Sequence, residues 1–160
     1  MAPEAALLDR FYAAFAARDH RGMVACYHPE VHFRDEVFDL RGPAASAMWH
    51  WLCERGGGLV VTHEVARADA DAATARWTAD YAFGPKRRPV HNEVEAAFTF
   101  RDGLILTHRD RFDFRPWARQ ALGPVGLVFG GTGWLRRRVT AQANRGLARF
   151  IEAHPAYRTG

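Results

Sequence analysis

A carboxylate at the end of an alternating segment is the first residue that could do chemistry. Val31, Phe33 and Asp35 alternate with polar neighbours, so in a β-strand all three side chains point to one face. A carboxylate beside apolar walls is partly desolvated, which raises its pKa and suits it to take a proton from carbon beside a carbonyl. The alternative is an exposed turn carboxylate within residues 34–36.

A histidine and a second carboxylate stand two residues apart further along the chain. His108, Asp110 and Phe112 share one face of a predicted strand. A His–Asp pair that faces an enclosed site can orient and tune a proton shuttle near neutral pH. The alternative is an exposed ladder of alternating charges, because Arg109 and Arg111 flank Asp110.

Three helices and a short hairpin are predicted before the strand that carries the His–Asp pair. Apolar residues recur at three- and four-residue spacing over residues 4–18, which predicts an amphipathic helix that includes Tyr12. Shorter helices are predicted over residues 20–27 and 43–54, with a short hairpin around residues 31–40 between them.

From residue 59 the period of the apolar pattern drops to two. Four strands are predicted over residues 59–67, 72–83, 89–100 and 104–114. The pair Asp102-Gly103 is a strong hairpin signal between the last two. Helices followed by a run of hairpins predict an α+β fold, in which helices pack on a curved antiparallel sheet. Such a cone leaves a cavity open at one end, where a ligand can bind.

The last part of the chain adds further helical segments. We predict one domain over residues 1–115 and a helical extension over residues 116–160. The extension would contain a short helix at 116–122, an apolar glycine-rich link at 123–131 and a long helix at 134–153. It is expected to pack on its own domain or on a dimer partner. Contact of Trp134 and the arginines at 136–138 with an anionic membrane surface is the alternative.

Composition narrows the classes of function. The 160 residues are 48% hydrophobic, which predicts one domain with a sizeable core. No window contains ~18 uninterrupted apolar residues, so no transmembrane helix is expected. Two cysteines and an N-terminus without a secretory pattern predict a protein of the reducing cytoplasm. A net charge of +4 spread along the chain is weak evidence for nucleic-acid binding, and none is expected. The scattered histidines form no Cys/His cluster, so no metal or other cofactor is expected.

Three segments together resemble the nuclear transport factor 2-like superfamily, in its ketosteroid isomerase and SnoaL-like polyketide cyclase branch. They are FYAAFAARD at residues 11–19, YHPEV followed by FRD at residues 27–35, and HRDRFD at residues 108–113. The resemblance covers about residues 5–115. It implies a cone-shaped fold around an apolar pocket and a homodimer.

The resemblance also assigns roles to individual residues. It places Asp35 where ketosteroid isomerases keep their general base and Tyr12 where they keep a hydrogen-bond donor to the dienolate oxygen. SnoaL-like cyclases keep an acid/base aspartate on the strand of Asp110. Ketosteroid isomerases have a second donor, a protonated aspartic acid on a central strand. The matching position in this sequence is Ala96. Half of that oxyanion hole is therefore absent, which argues against steroid isomerisation.

The sequence thus predicts a small cofactor-free enzyme that isomerises, cyclises or otherwise moves protons on an apolar, carbonyl-bearing metabolite. Asp35 would be the base, Tyr12 the hydrogen-bond donor, and His108 with Asp110 an auxiliary acid/base pair. The predicted substrate pocket consists of Phe33, Trp49, Leu52, Trp77, Phe98, Phe100 and Phe112. A hydrolase is a further enzymatic possibility. The alternative to an enzyme is a non-catalytic binding protein for a lipid-like molecule or a protein partner.

Overall fold

Helices of the N-terminal half pack on one face of a β-sheet. The computed structural model describes residues 1–158. Helices α1 (Pro3–Ala16) and α2 (His20–Val24) come first, and α3 (Pro43–Arg55) follows the first two strands. The apolar stripe predicted for α1 is buried as Leu7, Leu8, Phe11, Tyr12 and Phe15. α2 begins where the Asp19 carboxylate accepts a hydrogen bond from the Gly22 backbone N–H.

Six strands form one curved, open sheet, and the predicted α+β class is confirmed. The strands are β1 (Tyr27–Arg34), β2 (Asp39–Arg41), β3 (Val60–Ala68), β4 (Ala72–Phe83), β5 (Arg88–Arg101) and β6 (Leu104–Arg111). Their order across the sheet is β2-β1-β6-β5-β4-β3. β3 to β6 form the predicted antiparallel meander. Asp102 and Gly103 both have positive φ angles, 55° and 75°, as the tight turn between β5 and β6 requires.

β1 lies parallel to β6, so the sheet is mixed rather than fully antiparallel. This pairing sets Phe33 beside His108 and Tyr27 beside Ile105. A parallel pair needs a long crossover, which α3 and the strands β3 to β5 supply here. Local periodicity does not show which strand β1 joins, and for that reason the sequence did not predict this pair.

The C-terminal third begins earlier than predicted. The Asp113 carboxylate accepts a hydrogen bond from the Arg115 backbone N–H, so β6 ends at Arg111 and helix α4 (Phe114–Leu122) starts directly after this cap. Helix α5 (Pro124–Phe129) occupies most of the segment predicted as an apolar, glycine-rich link, for which no helix was predicted. Helix α6 (Gly133–Ala153) and a short 3₁₀ turn (Pro155–Tyr157) complete the described chain.

The C-terminal helices pack on the rest of the same chain. Leu147 and Phe150 of α6 belong to the main hydrophobic core. Leu135 joins Phe114 and Trp117 in a second, smaller cluster. The division of the chain at residue 115 and the homodimer stay predictions. Within residues 1–158, no helix has both the length and the apolar character needed to cross a bilayer.

Candidate active site

A cavity of about 790 Å³ lies between the inner face of the sheet and the helices α3, α4 and α6. That volume is in the range of pockets that take drug-sized organic ligands. Five of the predicted pocket residues line it, namely Phe33, Trp49, Leu52, Trp77 and Phe112. Phe98 and Phe100 do not. Phe98 instead packs behind the cavity wall, with its ring centroid 4.5 Å from that of His108.

Asp35 lines this cavity just after the end of β1. Its Oδ1 accepts hydrogen bonds from the backbone N–H groups of Val37 (2.7 Å) and Phe38 (2.6 Å), which fix the carboxyl group in the turn to β2. Burial raises the pKa of Asp35 from its usual 3.8 to about 6, and the two backbone N–H groups oppose that rise only in part. The side chain can therefore exchange a proton near neutral pH.

Asp110 is the second carboxylate on the cavity wall, and it is almost fully buried. Its Oδ1 accepts hydrogen bonds from Nε1–H of Trp77 at 3.2 Å and from Nε2 of His108 at 2.9 Å. Both hydrogen bonds end on Oδ1, so Oδ2 is the oxygen left to face the cavity. The negative charge of Asp110 also raises the pKa of Asp35, since the two carboxylates face one enclosed volume.

His108 does not line the cavity but connects Asp110 to a tyrosine that the sequence analysis missed. The Tyr27 hydroxyl lies 2.8 Å from Nδ1 of His108 and accepts a hydrogen bond from Nε1–H of Trp49, also at 2.8 Å. Burial raises the pKa of Tyr27, so its hydroxyl keeps its proton and can donate it to Nδ1 of His108. In the tautomer that accepts this proton at Nδ1, the ring hydrogen is on Nε2 and is donated to Asp110.

These contacts form one buried chain, which we call the Trp49–Asp110 chain: Trp49, Tyr27, His108 and Asp110 in that order. Only the pairing of β1 with β6 brings Tyr27 next to His108, and 81 residues separate the two in sequence. The one sequence signal for Tyr27 was its place in the segment that resembles the superfamily.

Tyr12 is not part of this arrangement. Its ring stacks on His63 with centroids 4.9 Å apart and meets the edge of Phe98, within the core under α1. Its hydroxyl is buried and has no hydrogen-bond partner among the described residues. Tyr12 does not line the cavity, so the structure does not bring the predicted donor to the two carboxylates.

A second hydroxyl does reach the cavity, from β4. Tyr81 lies on the same strand face as Trp77, and its oxygen accepts a hydrogen bond from Nε1–H of Trp117 at 2.8 Å. Burial raises the pKa of Tyr81, so the hydroxyl stays protonated and can donate to a ligand. Alternation along β4 places Tyr81 with the apolar face, but its pairing with Trp117 depends on α4 and was not predicted.

A family comparison identifies this fold. A family model described as the SnoaL-like domain matches residues 8–108, which is more than half of the chain. The chain belongs to the SnoaL-like domain family. The resemblance based on three sequence segments is therefore confirmed at the level of the family. The matched residues include Tyr27, Asp35 and His108 and end two residues before Asp110.

Solved structures share the SnoaL-like fold at low sequence identity, and no curated protein sequence matched the chain. TerC, co-crystallised with polyporic acid, is 18% identical, with 76% of this chain and 100% of TerC covered and a TM-score of 0.65. TsrD from Streptomyces laurentii is 23% identical, with 74% and 94% covered and a TM-score of 0.64. An LEH-like epoxide hydrolase of M. tuberculosis is 22% identical, with 79% and 93% covered and a TM-score of 0.60. At these identities the matches show the fold alone.

One group of side chains in this SnoaL-like domain has the spacing of metal ligands. Ligand atoms of His50, Glu54 and His154 lie within 4.8 Å of one another, outside the cavity. His50 and Glu54 are four residues apart on α3, a helical spacing of metal-ligand type that was not recognised from the sequence. Their contacts already explain the cluster, because His50 bonds both Glu54 and Tyr157 while Nδ1 of His154 donates to the Phe150 carbonyl. The group anchors the C-terminal turn to α3.

Proposed function

We propose that this SnoaL-like domain is a cofactor-free acid/base enzyme. It would move a proton on carbon beside a carbonyl group of an apolar metabolite, in an isomerisation, a cyclisation or a related reaction. One observation carries the proposal: Asp35 and Asp110 face the same largely apolar cavity, and Asp110 is held by a buried His108. Paired carboxylates in a desolvated pocket are a recurrent device for acid/base chemistry.

Asp35 is the proposed base. A carboxyl group with a pKa of about 6 is mostly ionised at pH 7 and still basic enough to share in proton abstraction. In the step that we propose, the carboxylate takes the proton from carbon. The electron pair of the C–H bond forms the carbon–carbon double bond of an enolate, and the carbonyl oxygen takes the negative charge.

Asp110 is the proposed partner in the return of the proton. Two donors, Trp77 and His108, hold Oδ1, so the cavity-facing Oδ2 keeps a fixed position toward the ligand. Two carboxylates facing one cavity repel each other when both are ionised, and the pair is stabilised when it holds one proton between the two groups. The protonated member then donates to the enolate oxygen, or returns the proton to a different carbon.

Orientation of the ligand would come from the other groups on the cavity wall. Tyr81 offers an O–H that can donate to the ligand, and Asn92 and Gln142 also line the cavity. Cationic side chains also line the cavity and are largely exposed, so they mark its mouth: Arg55, Lys86 and Arg149. An apolar ligand with a polar or acidic end would enter with that end toward the mouth.

Hydrogen–deuterium exchange tests this proposal without knowledge of the natural substrate. The purified chain is incubated in D₂O with fused-ring ketones such as 2-tetralone, and deuterium beside the carbonyl is followed by mass spectrometry. The chain should accelerate exchange, and Asp35→Asn and Asp110→Asn should each reduce the rate by about 100-fold, the usual contribution of a positioned acid or base. Asp71→Asn, an exposed carboxylate in the β3–β4 turn, is the matched control.

The same experiment separates the enzyme from the alternative. A ketone that binds in the cavity, seen by quenching of tryptophan fluorescence, but exchanges no faster than in buffer, would contradict the catalytic proposal and favour a binding protein. Equal exchange by the native chain and by both asparagine variants would contradict the roles of the two carboxylates.

A further inference from the structure

Large apolar side chains are exposed in one short stretch of the C-terminal third. Among residues 1–158, seven large hydrophobic side chains are exposed, and five of them fall between residues 125 and 134. These five, which we call the apolar patch, are Val125, Leu127, Val128, Phe129 and Trp134. Leu127 and Val128 are the most exposed of the five, at 64% and 68%. Isolated exposed apolar residues are common, but a contiguous group marks an interaction surface.

The packing of α5 against α4 fixes this patch on the outside. A Cβ added at Gly126 would lie 1.8 Å from the Ala118 carbonyl oxygen, and one added at Gly130 would lie 3.3 Å from the Ala118 Cβ. Only glycine fits this close contact, so the helix must face α4 with its glycines. Its large side chains point away from the protein as a result. The helix therefore buries its small residues and exposes its hydrophobic ones.

The charged residues on either side of the patch in sequence are all arginines, of which Arg136 is paired with Glu36 at 3.3 Å. Between Phe114 and Ile151 the sequence has seven arginines and no aspartate or glutamate. The arginines are Arg115, Arg119, Arg136, Arg137, Arg138, Arg145 and Arg149. Arg138 lies over the ring of the exposed Trp134, 5.5 Å from its centroid, and the edge of Phe129 meets the same ring at 5.6 Å. Apolar and aromatic side chains flanked by arginines are typical of segments that bind the interface of an anionic bilayer.

We propose that the apolar patch docks this domain on the surface of an anionic lipid bilayer. The charge pattern distinguishes this partner from a second copy of the chain. A symmetric dimer through the patch would bring the same arginine-rich surface against itself, whereas anionic headgroups attract it. The two helices on either side of α5 also contribute to the cavity wall, α4 through Trp117 and α6 through Val139. The inference stands on the patch alone and does not depend on the proposed reaction.

Vesicle flotation of the full chain tests this inference. Vesicles of 30% phosphatidylglycerol and 70% phosphatidylcholine are compared with pure phosphatidylcholine, in 0.1 M salt. The chain should float with the anionic vesicles only, and 0.5 M salt should release it. The double variant Leu127→Ser, Val128→Ser should bind at least tenfold less. Val60→Ser, which changes an exposed apolar residue outside the patch, should bind like the native chain.

Controls make each outcome decisive. Thermal melting should show that the double variant is as stable as the native chain, since its side chains are exposed. Charge reversal by Arg137→Glu with Arg138→Glu should weaken binding to anionic vesicles without touching the apolar residues. Equal binding to both kinds of vesicle would overturn the electrostatic part of the inference. No flotation overturns it altogether, and a dimer that the double variant dissociates would assign the patch to a second copy instead.

Discussion

Ala96 on β5 stands directly across from Asp110 on β6 in the antiparallel ladder. Ala96 is the position at which the isomerase resemblance led us to expect a protonated aspartic acid. Side chains of directly opposed residues are neighbours on one sheet face, so a carboxylate from the adjacent strand reaches the region that Ala96 leaves open. The cavity therefore has two carboxylates, although the second is supplied by a different strand.

A matched pair of tyrosine variants tests the Trp49–Asp110 chain. Tyr27→Phe removes the hydroxyl that joins Trp49 to His108 and leaves two buried polar groups unpaired, so it should lower the free energy of unfolding by about 1–3 kcal/mol. Tyr12→Phe removes a buried hydroxyl without a partner and should leave stability equal or raise it. Urea denaturation monitored by circular dichroism measures both. A larger loss for Tyr12→Phe would contradict the hydrogen-bond pattern.

The same two tyrosine variants test the predicted role of Tyr12 as a hydrogen-bond donor to the reacting oxygen. If Tyr12 donates to the reacting oxygen, as its place in the resemblance implies, Tyr12→Phe should reduce the deuterium-exchange rate strongly. We expect a reduction of less than threefold, because its hydroxyl does not reach the cavity wall. Tyr27→Phe should reduce exchange more, through the loss of positioning of His108 and Asp110, and should change the pH dependence of the rate.

The raised pKa of Asp35 predicts that ionisation of its carboxyl group destabilises the folded chain. A carboxyl whose pKa is about 6 when folded and 3.8 when unfolded binds its proton more tightly in the folded chain. The stabilisation that the folded chain gains from this tighter proton binding is complete below about pH 4 and is lost as the pH rises through 6. Asp35→Asn stays neutral and can still accept from Val37 and Phe38. Its stability advantage over the native chain should therefore grow by about 2 kcal/mol between pH 4.5 and pH 8.

Urea denaturation at several pH values measures that advantage, with Asp71→Asn as the control that should show no such trend. An advantage that shrinks toward pH 8 would mean that Asp35 is not desolvated. The variant should be more stable and less active than the native chain at pH 8, which is the usual relation at a site that keeps a charge in an apolar place.

Tyr81→Phe tests the donor at the other side of the cavity. The variant loses one neutral hydrogen bond to a ligand, so it should raise KM or the ligand dissociation constant by about 3- to 10-fold with little change in kcat. Tryptophan fluorescence measures the dissociation constant of the ketone probe, and deuterium exchange measures kcat. A fall in kcat with unchanged binding would instead place Tyr81 at the reacting atoms.

Alanine variants of two glycines, Gly126 and Gly131, test how closely α5 packs on α4. Gly126→Ala would put a methyl group into the Ala118 carbonyl, and overpacking of this kind costs about 1–3 kcal/mol. A Cβ at Gly131 meets no atom within 4 Å, so Gly131→Ala should leave stability unchanged or raise it slightly. Thermal unfolding compares the two variants. Equal melting temperatures would show that α5 does not pack closely on α4.

The sequence predicted those parts of the site that local periodicity determines. The alternating pattern was enough to predict that Phe33 and Asp35 share one face of their strand. It also predicted that His108 and Asp110 share one face of theirs. It could not predict Tyr27, because the partner strand of β1 is decided by long-range pairing. Nor could helical spacing show which part of the core Tyr12 would reach, since an amphipathic stripe fixes a face and not a neighbour.

The C-terminal third was harder to predict for a different reason. Glycine and proline lower the intrinsic preference for helix, so the composition of residues 123–131 predicted a link and no helix. The structure forms a helix there because the glycines allow contact with Ala118, a tertiary effect that propensity does not contain. The strand predicted to run to residue 114 included Asp113, so its role as the cap of α4 was not predicted.

The parallel pairing of β1 with β6 has a consequence for biosynthesis. The hydrogen bond between Tyr27 and His108 closes only after the strand with His108 has left the ribosome, because the two residues are 81 positions apart in a chain of 160 residues. A nascent chain that ends before residue 104 lacks β6, the strand that pairs in parallel with β1. The chemistry of the pocket is thus assembled at a late stage of synthesis, and prematurely terminated products would lack it entirely.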